Sequence, residues 1–199
     1  MSVVTAIACV AGCGSDREIP AAPAATLHRL TVEQYQNTVK AMLGEDIVIP
    51  ALEPDIKLSG FTSIATGELT IAPLALEQYE HAARDLAHQV VSSPARRDAV
   101  IGCSEPIEPC IGEFFARFGR RAWRRPITDA DLALIDRVVT AARAALAGAG
   151  AVDPWTPIEY GMALVLQSPE FLYRVELGEV SPDNPSRRIL TGYEMASRL

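Results

Sequence analysis

The sequence predicts an all-α protein, small helical bundle modules with a long irregular excursion, and three observations carry that prediction. Apolar residues recur by threes and fours along several stretches, the spacing that lays them on one face of a helix. Thr31 with Gln34, Thr128 with Asp131 and Thr191 with Glu194 each offer a capping box at the head of a stretch. The 199 residues are 49% apolar, 22% charged and 6% aromatic, a composition that folds around a core and is neither disordered nor fibrous. Length bounds the chain to one or two compact domains. A net charge of -7 argues against a general affinity for nucleic acid or for an anionic membrane surface, since both are polyanions.

Residues 1–12 are uncharged and largely apolar, too short to span a membrane, which takes roughly 20 residues. Val10-Ala11-Gly12-Cys13 follows with the form of a lipobox, in which small residues admit a signal peptidase to the bond before a cysteine that becomes acylated. Residues 1–13 therefore read as a lipoprotein-type signal with Cys13 as the lipidation site, and 14–26 as an Ala/Pro-rich linker. No Lys or Arg precedes Cys13, so an upstream start, or a buried first helix with a chance cysteine, stand as the other readings. With Cys9 and Cys13 in the leader, Cys103 and Cys110 remain as a pair around the turn-forming Ser-Glu-Pro-Ile-Glu-Pro. A disulfide fits an oxidising compartment. A zinc site would need a second ligand pair, and catalytic redox pairs generally stand closer together.

The first helix is predicted over 31–43, with Val32, Tyr35, Val39 and Met42 on one face and Gly44 as its stop. Residues 45–73 hold Pro, Gly and short apolar runs without helical period, an extended excursion with strand-like pieces at 46–49 and 68–71. A second helix over 74–91 carries Leu76, Tyr79, Ala83, Leu86 and Val90, and Ser92, Ser93 and Pro94 end it. Residues 95–110 read as a charged connection and the cysteine loop. A third helix over 113–125 turns Phe114, Phe115, Phe118 and Trp123 inward and stops at Pro126, whose ring removes a donor. Thr128 caps a fourth, with Leu132, Ile135, Val138, Val139, Ala142 and Leu146 inside, up to a glycine hinge at 148–150. A fifth enters through Asp153-Pro154 or Thr156-Pro157 and carries Ile158, Met162, Val165 and Leu166; Ser168-Pro169 then starts a short aromatic turn or helix. Residues 178–190 read as a loop. The capping box at Thr191 opens a helix with no stop signal before Leu199, so a longer protein is expected to continue. The expected organisation is a helical module at 27–93, a second with the cysteine loop at 100–177, and the start of a further domain at 190–199.

Three stretches together carry a family resemblance. Residues 28–44, HRLTVEQYQNTVKAMLG, are similar to an RLTxxEYxNTVRDLLG opening, with Gln34 where Glu is usual; residues 118–129, FGRRAWRRPITD, are similar to GRRAWRRPLTD. Residues 166–176, LQSPEFLYRVE, with 190–199, LTGYEMASRL, are similar to LxSPxFLYRxE and LTxYELASRLSYFLW. The chain resembles the tandem domains of unknown function of exported planctomycete and myxobacterial proteins, some of which also carry a c-type cytochrome domain. The resemblance runs from about residue 27 onward and implies a helical fold and export. No CxxCH haem-attachment site stands here, so any cytochrome role belongs elsewhere.

The candidate chemistry is sparse. Glu77, His81, Asp85 and His88 fall at helical offsets and form a possible ligand stripe, although a solvated polar face with a Glu80–Arg84 pair is the plainer reading. Arg117, Arg120, Arg121, Arg124 and Arg125 crowd the end of the third helix around Trp123, whose ring can stack a guanidinium. They read either as a site for an anion or a carboxylate-bearing partner, or as internal ties to Glu113, Asp129, Asp131 or Glu170. Aromatic residues at these spacings read as core. There is no GxSxG, HExxH, phosphate loop or dinucleotide fingerprint, and no catalytic residue, metal or cofactor is assigned. The expectation is an exported, lipid-anchored scaffold or binding module of a larger cell-envelope protein, with the membrane, an envelope protein or downstream domains as partners and no nucleic acid. The rival is part of an envelope enzyme or redox protein whose active groups lie beyond residue 199.

Overall fold

In a computed structural model the described residues are 26–56, 72–148 and 153–198. The leader with Cys13, most of the linker, the expected strand at 68–71 and the glycine hinge at 149–150 lie outside them. The described chain is mostly helical, with two small antiparallel sheets of two strands each.

Strand β1 (Thr26–Arg29) leads into α1 (Val32–Leu43), whose capping box closes as expected: Gln34 N donates to Thr31 Oγ1 at 3.1 Å, and Thr31 N donates to Gln34 Oε1 at 3.0 Å. Gly44 ends α1 at φ 112, ψ 148, a conformation open to glycine and outside the left-handed helical region. Residues 46–49 form a turn and an extended run with no strand pairing, since Val48 spends its N–H and carbonyl on the Gln89 side chain. Helix α2 (Pro73–Ser92) starts with a proline at its head and runs its buried stripe through Tyr79, Ala83, Leu86 and Val90.

The connection after α2 is more ordered than its composition suggests. It holds a short α3 (Pro94–Arg96), capped by Ser93, and a π-helical turn over Arg97–Ile101 that Gly102 closes. Helix α4 (Cys110–Trp123) begins three residues before the expected position, with Pro109 as its N-cap and Gly112 N donating to Glu108 Oε2 at 3.0 Å in the first turn. Helix α5 (Asp129–Leu146) carries the Thr128–Asp131 capping box, and α6 (Thr156–Gln167) enters through Pro157. A single turn, α7 (Pro169–Leu172), feeds β2 (Tyr173–Glu176), which pairs with β1 in the register Thr26↔Glu176 to Arg29↔Tyr173. The expected loop at 178–190 is a hairpin: β3 (Glu179–Ser181) turns at Pro182-Asp183 into β4 (Asn184–Ile189). Helix α8 (Gly192–Arg198) follows, with Thr191 and Glu194 bonded reciprocally.

One hydrophobic core runs through the described chain, from Leu30 and Tyr35 to Phe171 and Leu172. The broadest packing is between α2 and α6, and α6 also lies against α5 and α4. The approach is tight at Gly161, where an added Cβ would stand 2.5 Å from Phe115 Cζ and 2.8 Å from Val139 Cγ2. Tyr35 of α1 meets Tyr79 of α2 and Phe171 of α7 edge-on, with ring centroids 5.1 and 5.7 Å apart. Among the described residues no helix is long and apolar enough to cross a membrane.

Candidate functional site

The arginine-rich end of α4 is where sequence and structure concentrate charge. The helix stops because Arg124 adopts a left-handed backbone, φ 53, and Pro126 follows two residues on. The turn aims consecutive arginines in different directions.

Four of the five are tied to named atoms, mostly carbonyl oxygens. Arg117 donates to Ile101 O at 3.0 Å and fastens α4 to the π-helical turn; Arg121 donates to Ala41 O at 2.9 Å and fastens α4 to α1. Arg124 Nη2 reaches Glu170 O, Phe171 O and Tyr173 O at 3.1, 2.8 and 2.9 Å, so one nitrogen gathers the last turn of α7 and the first residue of β2. Its Nη1 is buried without a partner, and burial, with repulsion from Arg174, pushes the guanidinium down to about 10. It stays protonated at neutral pH.

Arg125 makes the one carboxylate fork, with Nη1 and Nη2 at 2.7 and 3.1 Å from the two Asp131 oxygens, and lies 5.0 Å over the Trp123 ring. Glu170 stands at 4.0 Å as a weaker second partner. The Arg125 fork and the Thr128 hydrogen bonds hold the Asp131 carboxyl well below the usual carboxylate range. Of the internal partners expected from sequence, Asp131 and Glu170 take part, while the backbone carbonyls were not anticipated.

Arg120 is exposed and stands apart from these ties. With Arg121 and Arg124 it lines a cavity of about 370 Å³, whose other wall is Tyr193, Ala196 and Ser197 of α8. The residues lining it include no carboxylate. Glu194, the acid of α8, faces elsewhere: its Oε1 accepts from Leu177 N and Gly178 N, and Oε2 from Thr191 N. Those backbone donors, Gly178 first, hold its carboxyl below the ordinary value.

The cysteine pair is bridged: Cys103 and Cys110 form a disulfide with a Cα separation of 5.9 Å. The bridge pins the loop at the head of α4, and that loop forms one side of a larger cavity of about 710 Å³, lined by Pro106, Ile107, Arg143, Trp155 and neighbouring residues. Trp155 is also covered by Arg97, 5.0 Å above its ring.

The polar stripe of α2 is divided among separate partners. His88 pairs with Glu159 of α6 at 3.0 Å, Asp85 accepts from Gln89 at 2.7 Å, and Glu77 lines a small cavity beside Gln167. Glu80 and Arg84 form the expected pair along the helix at 2.8 Å. Among the described residues no group of three or more His, Cys, Asp or Glu stands together as a metal site.

A half-buried polar network that sequence reasoning missed joins β1, α1 and α2. Arg29 donates to Tyr79 Oη at 2.8 Å and to Asp55 at 2.7 Å, and Asp55 also accepts from Val32 N at 2.6 Å. The Arg29 of the opening motif was its only visible signal.

Fold and site define a class: a mostly helical, disulfide-stapled module in which arginines bind the ends of helices together. The chain carries two domains of unknown function in tandem. Residues 28–92 match the family PSD3, a protein of unknown function (DUF1587), and residues 110–176 match PSD5, a protein of unknown function (DUF1595). Neither the curated proteins nor the solved structures compared with the chain match it.

Proposed function

We propose that the chain is an exported, lipid-anchored scaffold module of a larger cell-envelope protein, holding its surfaces in fixed relation for a ligand or a neighbouring domain. The observation that carries the reading is the Cys103–Cys110 disulfide, since such bonds persist outside the reducing cytoplasm. The Val10-Ala11-Gly12-Cys13 lipobox supplies the anchor, and acyl chains on Cys13 hold the protein at the membrane firmly where more than one is attached. The scaffold role is supported by what the arginines do: Arg117, Arg121 and Arg124 tie α4 to the π-helical turn, α1, α7 and β2 through carbonyl oxygens. Membership of a larger protein is supported by the resemblance to exported proteins that carry further domains.

Two measurements test it. Labelled palmitate should enter the wild-type protein and not Cys13→Ala; equal labelling of both, or none in either, refutes the anchor. Alkylation of protein taken directly from cells should modify Cys103 and Cys110 only after reduction, and two freely reactive thiols refute export.

A further inference from the structure

We propose that the cavity between the end of α4 and α8 is a binding site for the phosphate group of a small ligand, held by Arg120 and Arg121, with the charge of Arg124 behind them and Tyr193 beside them. The inference goes beyond the scaffold reading and does not rest on it. Arg120, Arg121 and Arg124 line one open groove of about 370 Å³, within the range of roughly 300–1,000 Å³ in which small molecules are held. Like charges gathered this way repel each other, and no carboxylate lines the cavity to offset them. Neither Glu113 nor Asp129 is among the lining residues, Asp131 is committed to Arg125 and Thr128, and Glu194 to the backbone of Leu177, Gly178 and Thr191. The negative end of α4 answers only about half a unit charge.

The donors also fit. Arg120 is exposed and has no tie to give up, and Arg121 uses Nη2 alone on Ala41 O, so both keep N–H groups to offer, while Arg124, with Nη1 buried and Nη2 on three carbonyl oxygens, contributes its charge. A guanidinium presents a planar fork that matches an oxyanion, and a phosphate offers three oxygens and up to two charges to several forks at once. A lone carboxylate has two oxygens and one charge, too few for three cations. The Tyr193 hydroxyl and ring and the Ala196 methyl would face the rest of the ligand.

The test is a calorimetric titration of the full chain with inorganic phosphate and with glycerol phosphate, at low ionic strength balanced with chloride. Saturable binding is expected for at least one of them. Arg120→Ala should weaken it about tenfold, the effect of removing one charged hydrogen bond, without moving the melting temperature. Arg137→Ala, an exposed arginine on α5, should leave affinity unchanged. Glycerol phosphate should bind more tightly above its second ionisation, near pH ~6, than below it. Tighter binding of inorganic phosphate identifies the free ion as the source, and tighter binding of the ester identifies a phosphate monoester; either supports the site. No saturable binding, equal loss in Arg137→Ala, or acetate and succinate binding as tightly as phosphate would overturn it.

Discussion

Arg124 works against its own backbone. A left-handed φ costs a residue with a side chain about 1 kcal/mol, and this one is kept because its guanidinium holds three carbonyl oxygens. Removing the side chain should cost about 3 kcal/mol, as expected for charged hydrogen bonds lost from a half-buried site. Arg124→Gly, which also relieves the backbone, should be about 1 kcal/mol more stable than Arg124→Ala in denaturant titration; the reverse order would refute the strain. Asp131 makes a pH prediction. Its folded ionisation lies below that of the unfolded chain, near ~3.9, so its contribution is complete well above that value and is lost as pH falls through it toward the folded one. Asp131→Asn should lower stability by about 1 kcal/mol at neutral pH, on the scale of a lost cap, and flatten the acid limb of a stability–pH curve. The five arginines were legible in the sequence. So were the acidic partners of Arg125, Asp131 and Glu170, whereas the carbonyl partners of Arg117, Arg121 and Arg124 were not, because a backbone carbonyl belongs to every residue and leaves no mark in the pattern.

Helices were legible where side chains announce them. Thr31 and Thr128 cap α1 and α5 with the very residues their spacing indicated, and the apolar stripe of α2 is the buried one. The strands were hidden by brevity. In four residues such as Thr26–Arg29, alternation cannot be distinguished from chance, and pairing with β2 depends on a partner nearly 150 residues away. The β3–β4 hairpin did carry a signal, Pro182-Asp183 between two short extended runs, which composition alone files under loop. At Gly161 the contact of α6 with α4 and α5 leaves no room for a methyl group, so Gly161→Ala should cost about 2 kcal/mol by overpacking, read as a lowered melting temperature. The disulfide closes a ring with a sequence separation of 7, and replacing both cysteines by serine should lower stability by about 2.5 kcal/mol, the chain-entropy value for so short a loop. An unchanged denaturation midpoint would show that the loop is held without it.

Across the whole molecule, the two matched stretches do not keep separate interiors. Tyr35 and Tyr79 come from the first, Phe171 from the second, and α2 of one packs most broadly on α6 of the other. Heating should therefore produce one cooperative transition followed identically by tryptophan fluorescence, which reports the second stretch alone, and by helical circular dichroism. Two separated transitions would refute the shared core. That sharing was not legible, since periodicity shows which face of a helix is buried and says nothing of what covers it. The β1–β2 ladder has a mechanical corollary. Thr26 is stitched to Glu176, one residue before the backbone that grips Glu194, so the register of β1 on β2 bears on where α8, one wall of the arginine-lined hollow, is seated. A change of register along those four paired residues would therefore be felt at that rim as well as in the helical interior that Leu30 enters.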